Sequence, residues 1–394
     1  MHLAPETRRL TSAPSAVNFP ILPGSTIGIL GSGQLGRMLA IAARQLGYRV
    51  AVYSPDQDTP AGQVADVEAV GDYLDEERLA DFAQRVSVLT FEFENVPSVA
   101  SEVAARHTIV RPAGNVLHIT QERLREKTFL RDNGFPTTPF REVKTYADLH
   151  AAARDLGLPA VLKTASFGYD GKGQQKVFPQ SDPAEVFANL KGATGIYEAF
   201  VDFEKEISVV AARTADGRFA AFPVFENRHA HHILDVTFAP AAIEPRLAKE
   251  AVDLAAGILE KLGVIGLLTV EMFVTRDGKL IVNELAPRTH NSGHLTMDAC
   301  VTSQFEQQVR AVCCLPLGST ALRSPAAMAN LLGQLWDKGE PDWTAALADP
   351  HVKLHLYGKA EPRAGRKMGH LNACGRSVEA AIARVVAARA SLVG

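Results

Sequence analysis

Two apolar runs on either side of an Asp-Gly turn constrain this chain more than any other feature. Gly266-Leu267-Leu268-Thr269-Val270-Glu271-Met272-Phe273-Val274 and Lys279-Leu280-Ile281-Val282 read as strands. The segment between them carries Asp277-Gly278, a pair that favours a tight hairpin. Antiparallel pairing then sets Glu271 beside Glu284. Neighbouring carboxylates repel unless a cation lies between them, and Mg²⁺ takes such oxygen ligands together with phosphates and water. Past the second strand runs Asn283-Glu284-Leu285-Ala286-Pro287-Arg288-Thr289-His290-Asn291-Ser292-Gly293-His294. Loops at strand ends carry function, and Arg288 and His290 suit an anionic substrate. Either Glu alone also fits a solvated edge charge. The pair, with this loop behind it, favours a metal–phosphate site.

Any phosphate binding has to come from such local groups. The net charge of the 394 residues is −3, which gives no bulk attraction to nucleic acid or an anionic membrane. The length suggests two or three domains packed as one enzyme-sized body. Cys300, Cys313, Cys314 and Cys374 lack paired CxxC spacing, which argues against structural zinc and for free thiols in a reducing cytoplasm. No apolar run of about eighteen residues exists to span a membrane. Residues 1–23 contain Pro, Ser and Arg8-Arg9 but no apolar h-region, and read as a disordered leader.

Thr26-Ile27-Gly28-Ile29-Leu30 reads as a strand, followed by Gly31-Ser32-Gly33-Gln34-Leu35-Gly36 and a helix over 37–46. Tyr48-Arg49-Val50-Ala51-Val52-Tyr53 is the next strand, and Asp56 stands about twenty positions past the last glycine, as a dinucleotide fingerprint asks. The same glycines also fit a phosphate of any kind at a helix N-terminus, or a turn needed only for helix–strand packing. A strand at 67–70, a helix at 75–85 and a strand at 86–92 complete an open α/β unit. Glu92 and Glu94 at its carboxyl end either face a ligand or cap the next helix.

Residues 121–133 form a charged amphipathic helix with Arg123 and Lys127 one turn apart. Gly134-Phe135-Pro136-Thr137-Thr138-Pro139 reads as a linker. After a helix at 146–156, Pro159-Ala160-Val161-Leu162-Lys163 is a strand that leads into Thr164-Ala165-Ser166-Phe167-Gly168-Tyr169-Asp170-Gly171-Lys172-Gly173-Gln174 and back into a strand. This is a mobile Gly-rich hairpin suited to fold over phosphates, with Lys163 and Lys172 supplying charge. It is not a Walker A loop, because neither Ser nor Thr follows the Gly-Lys and a strand follows the loop. Strands at 196–201 and 203–213 present Glu198, suited to ribose hydroxyls, and Val201, whose backbone suits an adenine. His229, His231 and His232 lack further spaced ligands and read as loop residues near the nucleotide rather than as a zinc site. Helices are expected at 245–262 and 297–315, and a strand at 325–332. Trp336 and Trp343 read as packing residues. Lys359, Arg363, Arg366 and Lys367 gather in a turn that is either a solvated tip or an anion site.

VLK with FGYDGKGQ, YEAFVDFEKEISVV, VEMF and NELAPRTHNSGH resembles the ATP-grasp superfamily. Within it the chain is similar to the PurK-type 5-(carboxyamino)imidazole ribonucleotide synthase family, which GSGQLGRM, TFEFENVP and GRKMGHLN also fit. The resemblance runs from about Thr26 to the terminal helix. It implies an ATP-grasp fold of α/β and α+β character. An N-terminal open α/β (pre-ATP-grasp) domain would cover 24–134 and a small lid 135–197. A larger antiparallel-sheet domain would cover 198–394, its C-terminal subdomain starting near 325. ATP would lie against Arg123, Lys163, Gly168, Tyr169, Asp170, Gly171, Lys172, Gly173, Gln174, Glu198, Ala199, Phe200, Val201, Glu206, His229, Asn283 and Glu284. Glu271 and Glu284 would hold Mg²⁺ or Mn²⁺. The ribonucleotide would lie against Gln34, Tyr169, Asp170, Arg288, His290, Asn291, Lys359 and Arg366. Lys163, Arg288 and Asn291 would carry catalysis.

The implied reaction carboxylates 5-aminoimidazole ribonucleotide with bicarbonate and ATP, through carboxyphosphate, in the cytoplasm and in a homodimer, with small molecules as the other partners. Two alternatives stay open. One is another ATP-grasp ligase, such as a formate-using transformylase or a biotin-carboxylase-like enzyme. The other is an NAD-dependent dehydrogenase, which leaves the second glycine loop and the Glu271/Glu284 pair unexplained.

Overall fold

The computed structural model describes residues 8–9, 19–166 and 173–393. Most of the expected leader lies outside them, as do Gly168, Tyr169, Asp170, Gly171 and Lys172 of the expected flap. The end of the leader is docked: the Ile21 amide donates to the Cys313 carbonyl at 2.9 Å, and the Tyr48 hydroxyl to the Ile21 carbonyl at 2.6 Å.

The first sheet is parallel. Its strands are β1 (Thr26–Leu30), β2 (Arg49–Ser54), β3 (Val67–Val70), β4 (Val88–Phe91) and β5 (Ile109–Val110), in the order β3-β2-β1-β4-β5. The inner strands are near-continuous apolar runs because helices cover both faces. Helix α1 (Gln34–Gln45) starts a turn earlier than the glycine spacing predicts. Gly33 and Gly36 donate their amides to the two oxygens of the Glu92 carboxylate at 2.8 and 2.9 Å. A Cβ on Gly31, whose φ is +95°, would sit 2.5 Å from Glu92 Cγ, and one on Gly33 would sit 2.7 Å from Glu92 Oε1. The glycines therefore serve the close approach of an internal carboxylate. That side chain already occupies the amides at the helix N-terminus that a dinucleotide phosphate would need. The dehydrogenase reading fails here.

Helix α2 (Arg123–Asp132) leads to a four-stranded antiparallel sheet. Its strands are β6 (Phe140–Val143), β7 (Ala160–Thr164), β8 (Gln174–Val177) and β9 (Gly195–Ala199), in the order β6-β9-β7-β8. Helix α3 (Tyr146–Leu156) backs this sheet and opens with a reciprocal Thr145/Asp148 capping box.

The largest sheet has ten strands. It contains β10 (Phe203–Arg213), β11 (Arg218–Ala221), β12 (Phe225–Ala230), β13 (Ile233–Ala239), β14 (Gly266–Thr275), β15 (Leu280–Ala286), β16 (Ala326–Leu332), β17 (Val352–Leu356) and β18 (Lys367–Cys374), with the Arg8–Arg9 backbone at one edge. The C-terminal strands continue this sheet. Helix α4 (Pro245–Leu262) packs Leu247, Ala251, Ala255, Ile258, Leu259 and Leu262 into the core that β10 and β14 share. Gly263, at φ +70°, ends it in the left-handed conformation.

The helix expected over 297–315 is two helices, Thr296–Ala299 and α5 (Gln304–Val312). Cys300 leaves the helix to bridge Leu322, and the Ser303 side chain caps α5 by accepting the Glu306 amide. Phe305, Val309 and Val312 of α5 share one core with Leu35, Met38 and Leu39 of α1, which ties the parallel sheet to the large one. The chain closes with α6 (Val378–Ala390).

Candidate active site

The hairpin forms as its turn predicts, and Glu271 and Glu284 are direct cross-strand partners. The register then shifts: Met272 pairs with Val282, and Asn283 is the extra residue. Such a bulge re-aims side chains and lets Asn283 and Glu284 share the cavity face with Glu271. Burial, reinforced by the Glu284 charge, pushes the Glu271 carboxyl up to about 7. Ionising Glu271 beside Glu284 is therefore unfavourable unless a cation joins them. An oxygen-only donor set of this kind suits a hard divalent cation. No group of three or more His, Cys, Asp or Glu side chains able to hold a metal occurs among the described residues. The two carboxylates would therefore need outside oxygens, as phosphates and water provide.

The hairpin floors a cleft of about 1450 Å³ between the lid sheet, the large sheet and the 359–367 turn. On the lid side, β7 and β9 pair antiparallel and present Lys163 and Glu198 on one face. Lys163 Nζ lies 2.9 Å from Glu198 Oε2. Burial opposes a charge on Glu198, which is 3% exposed, but Lys163 and then Lys127 hold its carboxyl below the ordinary carboxylate range. Its other oxygen, Oε1, is buried without a hydrogen-bond partner. An orphaned buried acceptor is costly unless a ligand donor meets it, which fits a ribose hydroxyl. Arg123 donates to the Thr164 carbonyl at 3.0 Å. Ala199, Phe200 and Val201 line the cleft beyond Glu198.

On the opposite wall, His229 Nδ1 meets Glu206 Oε2 at 2.5 Å. Phe203 and Phe273 stack there at 4.4 Å and 12°. Sequence reading missed this aromatic shelf, because the two rings meet only across β10 and β14.

At the far end, Arg288 is ion-paired with Glu94. His290 Nδ1 lies 2.9 Å from Ser292 Oγ, and its Nε2 lies 3.4 Å from Glu271. Burial pushes His290 well below its ordinary value, so the ring is neutral. Asn291 exchanges two amide hydrogen bonds with Asn330, at 3.1 and 2.8 Å, a partner that carries no local sequence signal. Lys359 donates to the Lys367 carbonyl at 2.8 Å and Arg366 to the Glu361 carbonyl at 2.8 Å, and both side chains line the cleft with Gln34. Gln174 lines it too. Gly173 instead forms the neck of the flap, where Thr164 donates to its carbonyl at 2.8 Å.

The His229–Glu206 pair predicts a pH dependence. Burial works against a charged His229, but Glu206 outweighs it and raises the ring above its ordinary 6.5. A group whose folded value is raised adds stability that is complete below the unfolded value and disappears as pH rises through the folded one. Stability from this pair should therefore be full below about pH 6.5 and decline above it. Thermal denaturation between pH 5 and 9 should show the decline in the wild type and a flatter profile in Glu206→Gln. Parallel profiles would refute the pairing.

Three family models match successive parts of the chain. A family model for a ribonucleotide synthetase preATP-grasp domain matches residues 25–121, one for an ATP-grasp domain 128–305, and one for a phosphoribosylaminoimidazole carboxylase C-terminal domain 326–384. The N5-carboxyaminoimidazole ribonucleotide synthase of Bacillus subtilis (strain 168) is 45% identical over 351 residues, covering 89% of this chain and 92% of that protein. Its counterpart in Brucella melitensis is also 45% identical, over 89% of this chain and 96% of that protein. The crystal structure of an N5-carboxyaminoimidazole ribonucleotide synthetase with ADP superposes with a TM-score of 0.90 at 41% identity, covering 94% of this chain and 98% of that one. The Aspergillus clavatus enzyme, in complex with ADP and 5-aminoimidazole ribonucleotide, superposes with a TM-score of 0.85 at 30% identity, over 93% and 98%.

Proposed function

The chain belongs to the N5-carboxyaminoimidazole ribonucleotide synthases, ATP-dependent carboxylating ligases of purine biosynthesis, and from that premise we propose that its cleft divides into a nucleotide end and an acceptor end. The reaction joins bicarbonate to the exocyclic amine of 5-aminoimidazole ribonucleotide and converts ATP to ADP and phosphate. The observation that carries the division is the opposed Glu271/Glu284 pair, with lid lysine Lys163 on one side and Arg288 on the other.

At the nucleotide end, Glu198 takes the ribose through its orphaned oxygen, Val201 and its neighbours take the adenine, and Arg123 and Lys163 face the phosphates. Glu206, His229 and Asn283 complete this wall, and residues 168–174 would contact the phosphates. Glu271 and Glu284 would hold Mg²⁺ or Mn²⁺, which supplies charge neutralisation on the phosphates when bound. At the acceptor end, Gln34, His290 and Asn291 hold the aminoimidazole, with Tyr169 and Asp170 from the flap. Lys359 and Arg366 take its phosphate.

Bicarbonate is a poor electrophile. One of its oxygens attacks the γ-phosphorus and ADP leaves, giving carboxyphosphate. The amine nitrogen then attacks the carboxyl carbon, or CO₂ released from it. The C–O bond to phosphate breaks and the amine loses a proton. Lys163 and Arg288 stabilise charge that builds during phosphoryl transfer, and the closed cleft keeps water from the intermediate. We infer domain limits of 24–134, 135–197 and 198–394. We also infer a cytoplasmic homodimer, in keeping with the family resemblance.

A coupled assay tests the reading. ADP should form at full rate only with bicarbonate and aminoimidazole ribonucleotide both present. An equal rate without the ribonucleotide would overturn it.

A further inference from the structure

Two buried ionisable residues on α2 have no role above beyond the help Lys127 gives in keeping Glu198 ionised. Glu126 is 2% exposed and Lys127 is 1% exposed. Glu126 Oε2 accepts the backbone amide of Leu285 at 3.0 Å, and Lys127 Nζ donates to the backbone carbonyl of Val282 at 3.1 Å. Only Asn283 and Glu284 lie between these anchors, and they are the two residues the bulge turns toward the cleft. Among the strands of the described residues β15 pairs with β14, and on its outer edge Val282 bridges Thr137, so its outer amides and carbonyls depend on partners from elsewhere in the chain. The 136–137 linker supplies two more: Val282 donates to the Pro136 carbonyl at 2.8 Å, and Thr137 Oγ1 reaches the Val282 carbonyl at 3.2 Å.

A bulge interrupts the ladder that would otherwise fix its direction. Adjacent side chains on a helix diverge, so neighbouring residues of α2 can reach backbone groups on the two sides of the displaced pair. We propose that Glu126 and Lys127 are positioning residues that clamp the β15 bulge from both sides and hold Asn283 and Glu284 aimed at the nucleotide-bound divalent ion. This inference rests on the reading of Glu271 and Glu284 as the metal pair. Arg123 projects into the cleft one turn earlier on the same helix, so α2 supports both the phosphates and the carboxylates that share the ion.

The test separates metal dependence from nucleotide and ribonucleotide binding. ADP binding is measured by calorimetry with and without Mg²⁺, alongside the half-saturating Mg²⁺ concentration for turnover and the KM for the ribonucleotide. Supporting groups behind metal ligands typically change metal affinity by about 10–100-fold. Lys127→Met and Glu126→Leu should weaken Mg²⁺-dependent ADP binding by about 10-fold and raise half-saturating Mg²⁺ to match. In Glu126→Leu, ADP binding without metal and the ribonucleotide KM should stay within about 2-fold. In Lys127→Met the ribonucleotide KM should stay within about 2-fold, while metal-free ADP binding also falls because Lys127 helps keep Glu198 ionised. Glu126→Gln keeps an acceptor oxygen and should retain most of the metal dependence. Should the buried substitutions fail to fold, Thr137→Val removes the weaker donor to the same carbonyl and should shift the metal dependence alone, by about 2–3-fold. Unchanged metal dependence in these variants, or an equal loss in all three measurements, overturns the clamp. Glu284→Gln serves as the reference. If it leaves Mg²⁺-dependent ADP binding intact, the metal-pair reading has failed. If it removes that binding while the clamp variants keep it, only the clamp has failed.

Discussion

Glu284→Gln should cut ADP formation by about 10²–10³-fold and leave the fold intact, since removing one preorganised charge partner from a phosphoryl-transfer site has effects of that size. The substitution conserves shape, and Glu284 is an exposed residue on an edge strand, so no core contact is lost. The folded protein should even gain. Burial and then the Glu284 charge raise the Glu271 carboxyl from an ordinary 4.5 to about 7. A group that binds its proton more tightly folded than unfolded adds stability that is full below the unfolded value and declines as pH rises through the folded one. Wild-type stability should accordingly fall between about pH 4.5 and 7 on account of Glu271. Glu284→Gln removes the charge contribution but not the burial, so it should reduce this fall without abolishing it. Denaturation across that range, paired with the ADP assay, checks both halves. Near-normal turnover would sink the metal role, and a steeper loss of stability would sink the account of the repulsion.

The hairpin was legible because its signals are local: two apolar runs, an Asp-Gly turn and an acidic residue on each strand. Its bulge was not. Neither Gly nor Pro marks the register shift between Glu271 and Met272, and the edge that holds it belongs to α2, about 155 residues earlier. The first glycine turn shows the same limit from the other side. Its spacing looks alike whether a cofactor phosphate or the protein's own carboxylate meets the amides. Glu92, 59 positions from Gly33, decides the matter through a parallel-sheet neighbour. The basic turn at 359–367 left a solvated tip and an anion site open, because only the large sheet brings it to the loop that bears Arg288. In the helix expected at 297–315 the apolar face was plain. The break at Cys300 came from a bridge to Leu322 that no periodicity encodes.

Arg288→Met should lose both stability and turnover, and a second substitution should restore only the first. The Arg288 and Glu94 side chains are paired and are 13% and 25% exposed. Burial opposes the Glu94 charge, and Arg288 more than offsets it, keeping the carboxyl below its ordinary value. Removing one partner of a buried pair leaves the other uncompensated, at roughly 3–5 kcal/mol. A quarter of the Glu94 side chain is still in contact with solvent, so the lower end of that range applies. Glu94→Gln with Arg288→Met removes both charges and should recover most of the loss, giving a coupling of about 2 kcal/mol in a denaturation cycle. Turnover should fall by about 10²-fold in the single variant and stay there in the double one, because a neutral pair offers no cation to the phosphoryl group in transfer. Recovery of turnover in the double variant would reduce Arg288 to a counter-ion for Glu94. Loss of turnover with no coupling in stability would mean that the guanidinium serves the substrate and that Glu94 does not hold it in place.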